Sequence, residues 1–108
     1  NLSPLAEGKP VRGRASLREG QTLDLGGYRI GMREGRVEAD RSAVFAGLQG
    51  CRFTARSPRL PENRCHLDIF VDPNLVEIFI NDGRYVLSHV VYGLSGRLEG
   101  SVESIFTI

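Results

Sequence analysis

Hydrophobic and polar residues alternate in short runs along this chain, and Gly, Pro, Asn and Asp separate the runs. No window sustains the three-and-four-residue apolar spacing of an amphipathic helix, whereas strict alternation is typical of half-buried strands. The pattern therefore predicts an all-β chain whose many short strands form a sandwich. The predicted strands are Arg14–Leu17, Thr22–Leu25, Tyr28–Arg33, Arg36–Asp40, Gly50–Ala55, Cys65–Asp72, Leu75–Ile80, Arg84–Tyr92 and Ser101–Thr107.

Turn residues fix several of the connections. Glu34-Gly35 predicts a two-residue hairpin turn, because glycine tolerates positive φ. Asp72-Pro73-Asn74-Leu75 predicts a type I turn, in which Asp accepts backbone hydrogen bonds and Pro presets φ. Ser57 to Asn63 is predicted to be a loop, since its two prolines remove ladder donors.

The turn near residue 82 has two solutions. Asp82-Gly83 alone forms a two-residue primed turn, and Asn81-Asp82-Gly83 forms a turn with a glycine bulge. The choice between them decides whether Tyr85 and Leu87 or Val86 and Ser88 join the face of the preceding aliphatic residues. The sequence leaves this choice open.

The turn at Asp72 sets the register of the two strands that it joins. With Asp72 opposite Leu75, six branched aliphatics share one face in the pairs Val71 with Val76, Ile69 with Ile78 and Leu67 with Ile80. Burying each contributes about 1.5–3 kcal/mol, and a one-residue slip would turn all six away, so this is the predicted core face. The other face mixes Phe70 and Phe79 with charged residues, and we expect a second layer or a neighbouring domain to cover part of it.

Composition limits the classes of function. A chain of 108 residues predicts one domain, residues 1–108, and a net charge of +1 gives no reason to expect nucleic acid or membrane as a partner. The first ten residues lack the regions of a secretory signal. Cys51 and Cys65 are therefore interpreted as free and reduced, and we expect a cytoplasmic protein.

Two groups of residues are candidates for a functional site, one for a zinc site and one for a catalytic site. Cys65 and His66 are adjacent, so their side chains point to opposite faces of a strand. His89 has no potential ligand nearby in sequence. A zinc site needs paired ligands at short, fixed spacings, and neither of these arrangements provides them. Asp72 and Glu77 are the candidate glycosidase carboxylates. As diagonal neighbours their backbone positions lie about 7–8 Å apart, so distance alone does not exclude the carboxylate pair of a retaining or an inverting enzyme. A hairpin face, however, offers no cleft to raise one pKa and exclude water. We predict no catalytic, cofactor-binding or metal-binding residue in this chain.

Two blocks resemble a known family. The run LDIFVDPNLVEIFINDGRYVLSHVVY (Leu67 to Tyr92) is similar to the C-terminal β-sandwich module of glycoside hydrolase family 32, the family of invertases, fructanases and sucrose-6-phosphate hydrolases. Val71-Asp72, Val76-Glu77-Ile78-Phe79 and Asn81-Asp82-Gly83 match the family's stretch in order and spacing. LDLGGYRIGMREGRVEADRS (Leu23 to Ser42) resembles the family's earlier hairpin, which commonly ends in Asp-Arg-Ser.

The resemblance implies a two-layer antiparallel β-sandwich of the concanavalin A-like or jelly-roll type. It places the family's chemistry in an N-terminal five-bladed β-propeller, whose three catalytic motifs do not occur here. Asp72-Pro73-Asn74 shares three letters with the nucleophile motif but lacks its flanking residues, so the match is interpreted as coincidence. The chain departs from the family at Pro73-Asn74-Leu75, where members usually have a basic residue and serines.

We therefore expect a non-catalytic C-terminal accessory module of a β-fructofuranosidase-like hydrolase, which packs on and stabilises the catalytic propeller. A homodimer is a second expected association. The alternative is a free-standing, lectin-like carbohydrate-binding module. It would need exposed aromatic rings for stacking on sugars, and the chain has no Trp and only Tyr28, Tyr85 and Tyr92 as tyrosines. The sequence does not show which fructoside the parent enzyme cleaves or whether that substrate is phosphorylated.

Overall fold

The computed structural model describes residues 10–44, 53–91, 94, 98–100 and 104–107. These residues form ten strands and one short 3-10 helix. The strands are β1 (Val11–Arg18), β2 (Thr22–Leu25), β3 (Tyr28–Arg33), β4 (Arg36–Asp40), β5 (Thr54–Arg56), β6 (Arg64–Asp72), β7 (Leu75–Ile80), β8 (Tyr85–Val90), β9 (Leu98–Glu99) and β10 (Ser104–Thr107), and the 3-10 helix is Ser42–Val44.

The strands form two five-stranded sheets. Sheet A has the order β10-β1-β6-β7-β8, and sheet B has the order β5-β4-β3-β2-β9. All neighbouring strands are antiparallel. The predicted class, a two-layer antiparallel β-sandwich, is confirmed.

The hairpin of β6 and β7 has the predicted register. Asp72 lies opposite Leu75, Val71 opposite Val76 and Ile69 opposite Ile78. The aliphatic residues of this face are at most 3% exposed, so the alternation of the sequence alone was enough to orient both strands. The predicted turn at Asp72 is present as well, because Asn74 N donates a hydrogen bond of 2.8 Å to Asp72 Oδ1.

The structure also decides between the two alternatives for the turn near residue 82. Ile80 lies opposite Tyr85 and Ile78 opposite Leu87, which is the register of a two-residue turn at Asp82-Gly83. Asp82 and Gly83 have positive φ, 60° and 83°, as a primed hairpin turn requires, and so does Asn81 before them, with φ of 50°. Leu87 therefore joins the core face. Glu34-Gly35 forms the predicted turn in the same way, with φ of 54° and 72°.

The strand bounds depart from prediction mainly at β1, an interior strand, and at the edge strands of the sheets. β1 begins at Val11 rather than Arg14, because its ladder with β6 runs through to Val11 opposite Val71. Within the described residues β5 covers Thr54–Arg56, and β9 was not predicted. The loop predicted from Ser57 to Asn63 lies between β5 and β6 as expected.

The core lies between the inner faces of the two sheets. Every second residue of β1, β3, β4, β6 and β7 is buried, which is the two-residue period of a strand with one covered face. Sheet A contributes mainly branched aliphatics, whereas sheet B adds Tyr28 and Met32. The outer faces of both sheets remain as the surfaces on which function can reside.

Candidate functional site

The two candidate carboxylates lie on the outer face of sheet A. Glu77 is opposite Phe70 on one side and Ser88 on the other, which makes Asp72 its diagonal neighbour, as predicted. Both side chains are half-buried on the sheet face. Asp72 is used by the turn through its hydrogen bond from Asn74 N, so its described interaction is a structural one.

One half of this outer face is polar. Asp68 Oδ1 accepts hydrogen bonds from Arg12 Nη2 and Arg14 Nε, both at 3.1 Å. The Arg12 guanidinium also lies over the Phe70 ring, 5.1 Å from its centroid, a separation at which a cation is attracted to an aromatic face. The arginines of β1 are therefore held in place beside the aromatic residues of β6.

The other half of the face carries the apolar side chains, with Glu77 and Ser88 among them. Phe70 and Phe79 meet edge to face, with ring centroids 5.4 Å apart and an interplanar angle of 81°. Val86 lies opposite Phe79, and Val90 lies opposite Leu75. We call these five apolar residues the outer apolar patch. Val86 is 49% exposed and Val90 is 44% exposed, and among the described residues they are the exposed large hydrophobic side chains.

The outer face of sheet B has a different character. Its strands present mainly Arg, Asp, Glu and Thr, and several of these pair with one another. Arg56 Nε lies 2.6 Å from Glu38 Oε2, and Arg29 Nε lies 3.5 Å from Asp24 Oδ2. A groove of about 240 Å³ surrounds Gly31 at the middle of this face. Exposed ion pairs of this kind contribute little to stability, about 0–1 kcal/mol each. They are typical of a solvent-exposed surface.

A buried polar pair joins the two sheets. Tyr28 Oη and His89 Nδ1 are 2.8 Å apart, and their rings meet edge-on at 5.7 Å. Burial raises the pKa of the Tyr28 hydroxyl well above its usual range. Burial, with a smaller contribution from Arg41, lowers the pKa of His89, while Asp40 acts in the opposite direction. Both groups are thus held neutral near pH 7.

The cysteine and histidine on β6 do not form a metal site. Cys65 is buried and free, and burial raises the pKa of its thiol. His66 points outward, with Nδ1 2.9 Å from Ser16 Oγ. The described residues include no group of three or more His, Cys, Asp or Glu side chains that could hold a metal ion. Cys51 lies outside the described residues, and the predicted absence of catalytic, cofactor and metal residues stays a prediction.

The described part of the chain contains no helix long and apolar enough to cross a membrane. Its class is that of a two-sheet antiparallel sandwich domain whose outer faces differ, one charged and one partly apolar. The sequence profile of the C-terminal region of glycosyl hydrolases family 32 matches residues 26–104. The chain therefore belongs to the family of glycosyl hydrolase family 32 C-terminal domains, as its motifs predicted.

A solved structure is also similar. The sucrose-6-phosphate hydrolase from Lactobacillus gasseri is 28% identical in sequence and superposes with a TM-score of 0.69. The match covers 90% of this chain and 22% of that hydrolase chain, so this chain spans about a fifth of the hydrolase's length. A comparison with curated protein sequences gives no match.

Sequence reasoning found the turn role of Asp72 and the mixed character of the Phe70 and Phe79 face. It missed the Tyr28–His89 pair, whose members are 61 positions apart. It also left open whether Val86 faces the core. The signal that decides this is the Asp82-Gly83 turn, because its register sends Val86 outward.

Proposed function

We propose that this chain is a non-catalytic accessory module of a β-fructofuranosidase-like glycoside hydrolase, and that it packs on and stabilises an N-terminal β-propeller catalytic domain. The observation that supports this most directly is the coverage of the similar hydrolase. The match takes in 90% of this chain but 22% of the hydrolase, and the family profile is named for a C-terminal region. Most of such an enzyme, including room for a catalytic cleft, lies outside a match of this kind.

The placement of the carboxylates agrees with this role. In a glycosidase, one carboxylic acid must keep a raised pKa in a site that excludes water. Asp72 instead accepts a turn hydrogen bond, and Glu77 lies on an outer sheet face. We propose that the parent's catalytic groups belong to the propeller, where sucrose, sucrose-6-phosphate or a fructan would be cleaved. A single domain of residues 1–108 and a cytoplasmic location are parts of the same proposal.

A carbohydrate-binding module is less well supported. Sugar rings stack on exposed aromatic faces, but Tyr28 is fully buried and Tyr85 is half-buried. Phe70 and Phe79 are half-buried and pack on each other. Tyr92 lies outside the described residues. The described aromatic rings therefore offer no open platform for a sugar.

Calorimetric titration of the purified chain with sucrose, fructose and short fructans, with reducing sugar assayed in the same samples, tests this function. We expect neither saturable heat nor sugar release. Saturable heat without release would favour a binding module, and hydrolysis that disappears in Asp72→Asn would establish the carboxylate pair. The stabilising role is tested by deleting the module from its parent enzyme, which should lower the melting temperature of the catalytic domain.

A further inference from the structure

We propose that the outer apolar patch of sheet A is the surface that contacts the preceding catalytic domain of the same polypeptide. This inference rests on the proposed function and assigns the face that performs it. The patch consists of Phe70, Leu75, Phe79, Val86 and Val90, which lie on the adjacent strands β6, β7 and β8.

The contrast between the two outer faces supports this choice. The described exposed large hydrophobics, Val86 and Val90, both lie on sheet A, whereas sheet B presents ion pairs such as Arg56 with Glu38. Contiguous exposed apolar residues with a polar rim are typical of interaction surfaces. Arg12, whose guanidinium lies over Phe70, forms part of the polar rim here. Glu77 and Ser88 lie opposite each other within the patch, between the Leu75–Val90 pair and the Phe79–Val86 pair.

The first described strand begins close to this patch. The first described strand, β1, enters sheet A at Val11, opposite Val71. Val71 is opposite Val76, and the next pair toward the same end of the sheet joins Leu75 with Val90. The first described strand therefore begins at the end of sheet A where the patch begins. Sheet B receives no such entry among the described residues.

The size of the patch favours a tethered partner over a free one. Three strands about 4.8 Å apart and about five residues long at 3.3 Å each cover roughly 240 Å². A stable interface between separate proteins buries about 800 Å² per partner, while an interface between domains of one chain starts at about 600 Å² in total, or about 300 Å² per side. A covalently linked domain needs less area because the link raises its effective concentration. The patch is smaller than both figures but much closer to the second, so a linked domain fits it better than a second copy of the chain does.

The test compares Val86→Arg with Thr54→Arg in the polypeptide that joins this module to its catalytic domain. Val86 and Thr54 are both exposed, β-branched and located on the outer face of an edge strand, one in each sheet. Val86→Arg should lower the melting temperature of the catalytic domain by at least half of the drop that deleting the module produces, because it places a charge inside the interface. Thr54→Arg should leave that temperature unchanged. Circular dichroism of the isolated module should show that both variants fold.

Each negative outcome of these measurements contradicts a different part of the proposal. If deletion destabilises the catalytic domain and Thr54→Arg does so while Val86→Arg does not, the module stabilises its partner through sheet B and the assignment of the patch is overturned. If deletion has no effect, the proposed function itself is wrong. If Val86→Arg has no effect on the joined polypeptide but converts a dimer of the isolated chain into a monomer, a second copy is the occupant, which also overturns the inference.

Discussion

Removing the Tyr28 hydroxyl tests the buried pair that joins the two sheets. In Tyr28→Phe the ring and its edge-on contact with His89 remain, but the 2.8 Å hydrogen bond is lost. Tyr28 is 0% exposed and His89 is 8% exposed, so the substitution removes the hydroxyl from a buried position. A buried polar atom left without its partner costs about 1–3 kcal/mol. We therefore expect the free energy of unfolding to fall by about 2 kcal/mol.

Urea denaturation followed by circular dichroism measures this loss. For a small domain the dependence on urea is about 1–3 kcal/mol per molar, so a loss of about 2 kcal/mol shifts the midpoint by about 1 M. Measurement at pH 8 keeps His89 neutral, since the pKa of His89 is lowered from 6.5. The slope of the transition should be unchanged, because the substitution leaves the area exposed on unfolding nearly the same.

The chain offers a matched control at its surface. Ser16 Oγ and His66 Nδ1 form a hydrogen bond of similar length, 2.9 Å, but on the outer face. Ser16→Ala should change stability by no more than about 0.5 kcal/mol, as most surface substitutions do. If Tyr28→Phe costs no more than Ser16→Ala, burial does not strengthen the Tyr28–His89 bond and the argument from desolvation is wrong.

Three further predictions concern stability. Ile78→Ala, at a fully buried site on β7, should lower the free energy of unfolding by about 2–5 kcal/mol in urea denaturation, and a loss below 1 kcal/mol would contradict the assigned core. Gly27→Ala should lower the melting temperature more than Gly83→Ala: both have positive φ, but only at Gly27 would the new Cβ lie 2.7 Å from Val44 Cγ1. Because the pKa of His89 is lowered in the folded state, the unfolded chain binds the proton more readily. The contribution of His89 to stability should therefore be constant above about pH 6.5 and fall below it by up to about 1.4 kcal/mol per pH unit. Urea titrations from pH 5 to pH 8 check this, and His89→Asn should remove that part of the slope.

The sequence was informative wherever alternation and turn residues act together. β2, β3, β4 and β7 have the predicted bounds, because turn residues flank each of them and their apolar residues alternate without interruption. Prediction was weaker for β1, where Gly13 interrupts the apolar row and only pairing with β6 shows that the strand continues. The two residues of β9 are too few to form a pattern, and they become a strand only through pairing with β2.

The candidate site was less predictable for a related reason. Alternation tells which side of its own strand a residue occupies, but not which strand of the other sheet it faces. The contact of Tyr28 with His89 depends on how the two sheets are stacked, and no local pattern contains that information. The outward direction of Val86 depends on the number of residues in the turn at Asp82-Gly83. One shift there would have exchanged Val86 with Leu87 and removed part of the outer apolar patch.

The position of β1 in sheet A has a kinetic consequence. β1 comes first among the described strands, yet it is an interior strand with β6 on one side and β10 on the other. Its nearest partner in sequence, Arg64 opposite Arg18, lies 46 residues later. At a synthesis rate of about 5–20 residues per second, β1 waits roughly 2–9 seconds on the ribosome for β6. Until then both of its hydrogen-bonding edges are open to other chains, so slower initiation or chaperone supply during expression should raise the yield of folded protein.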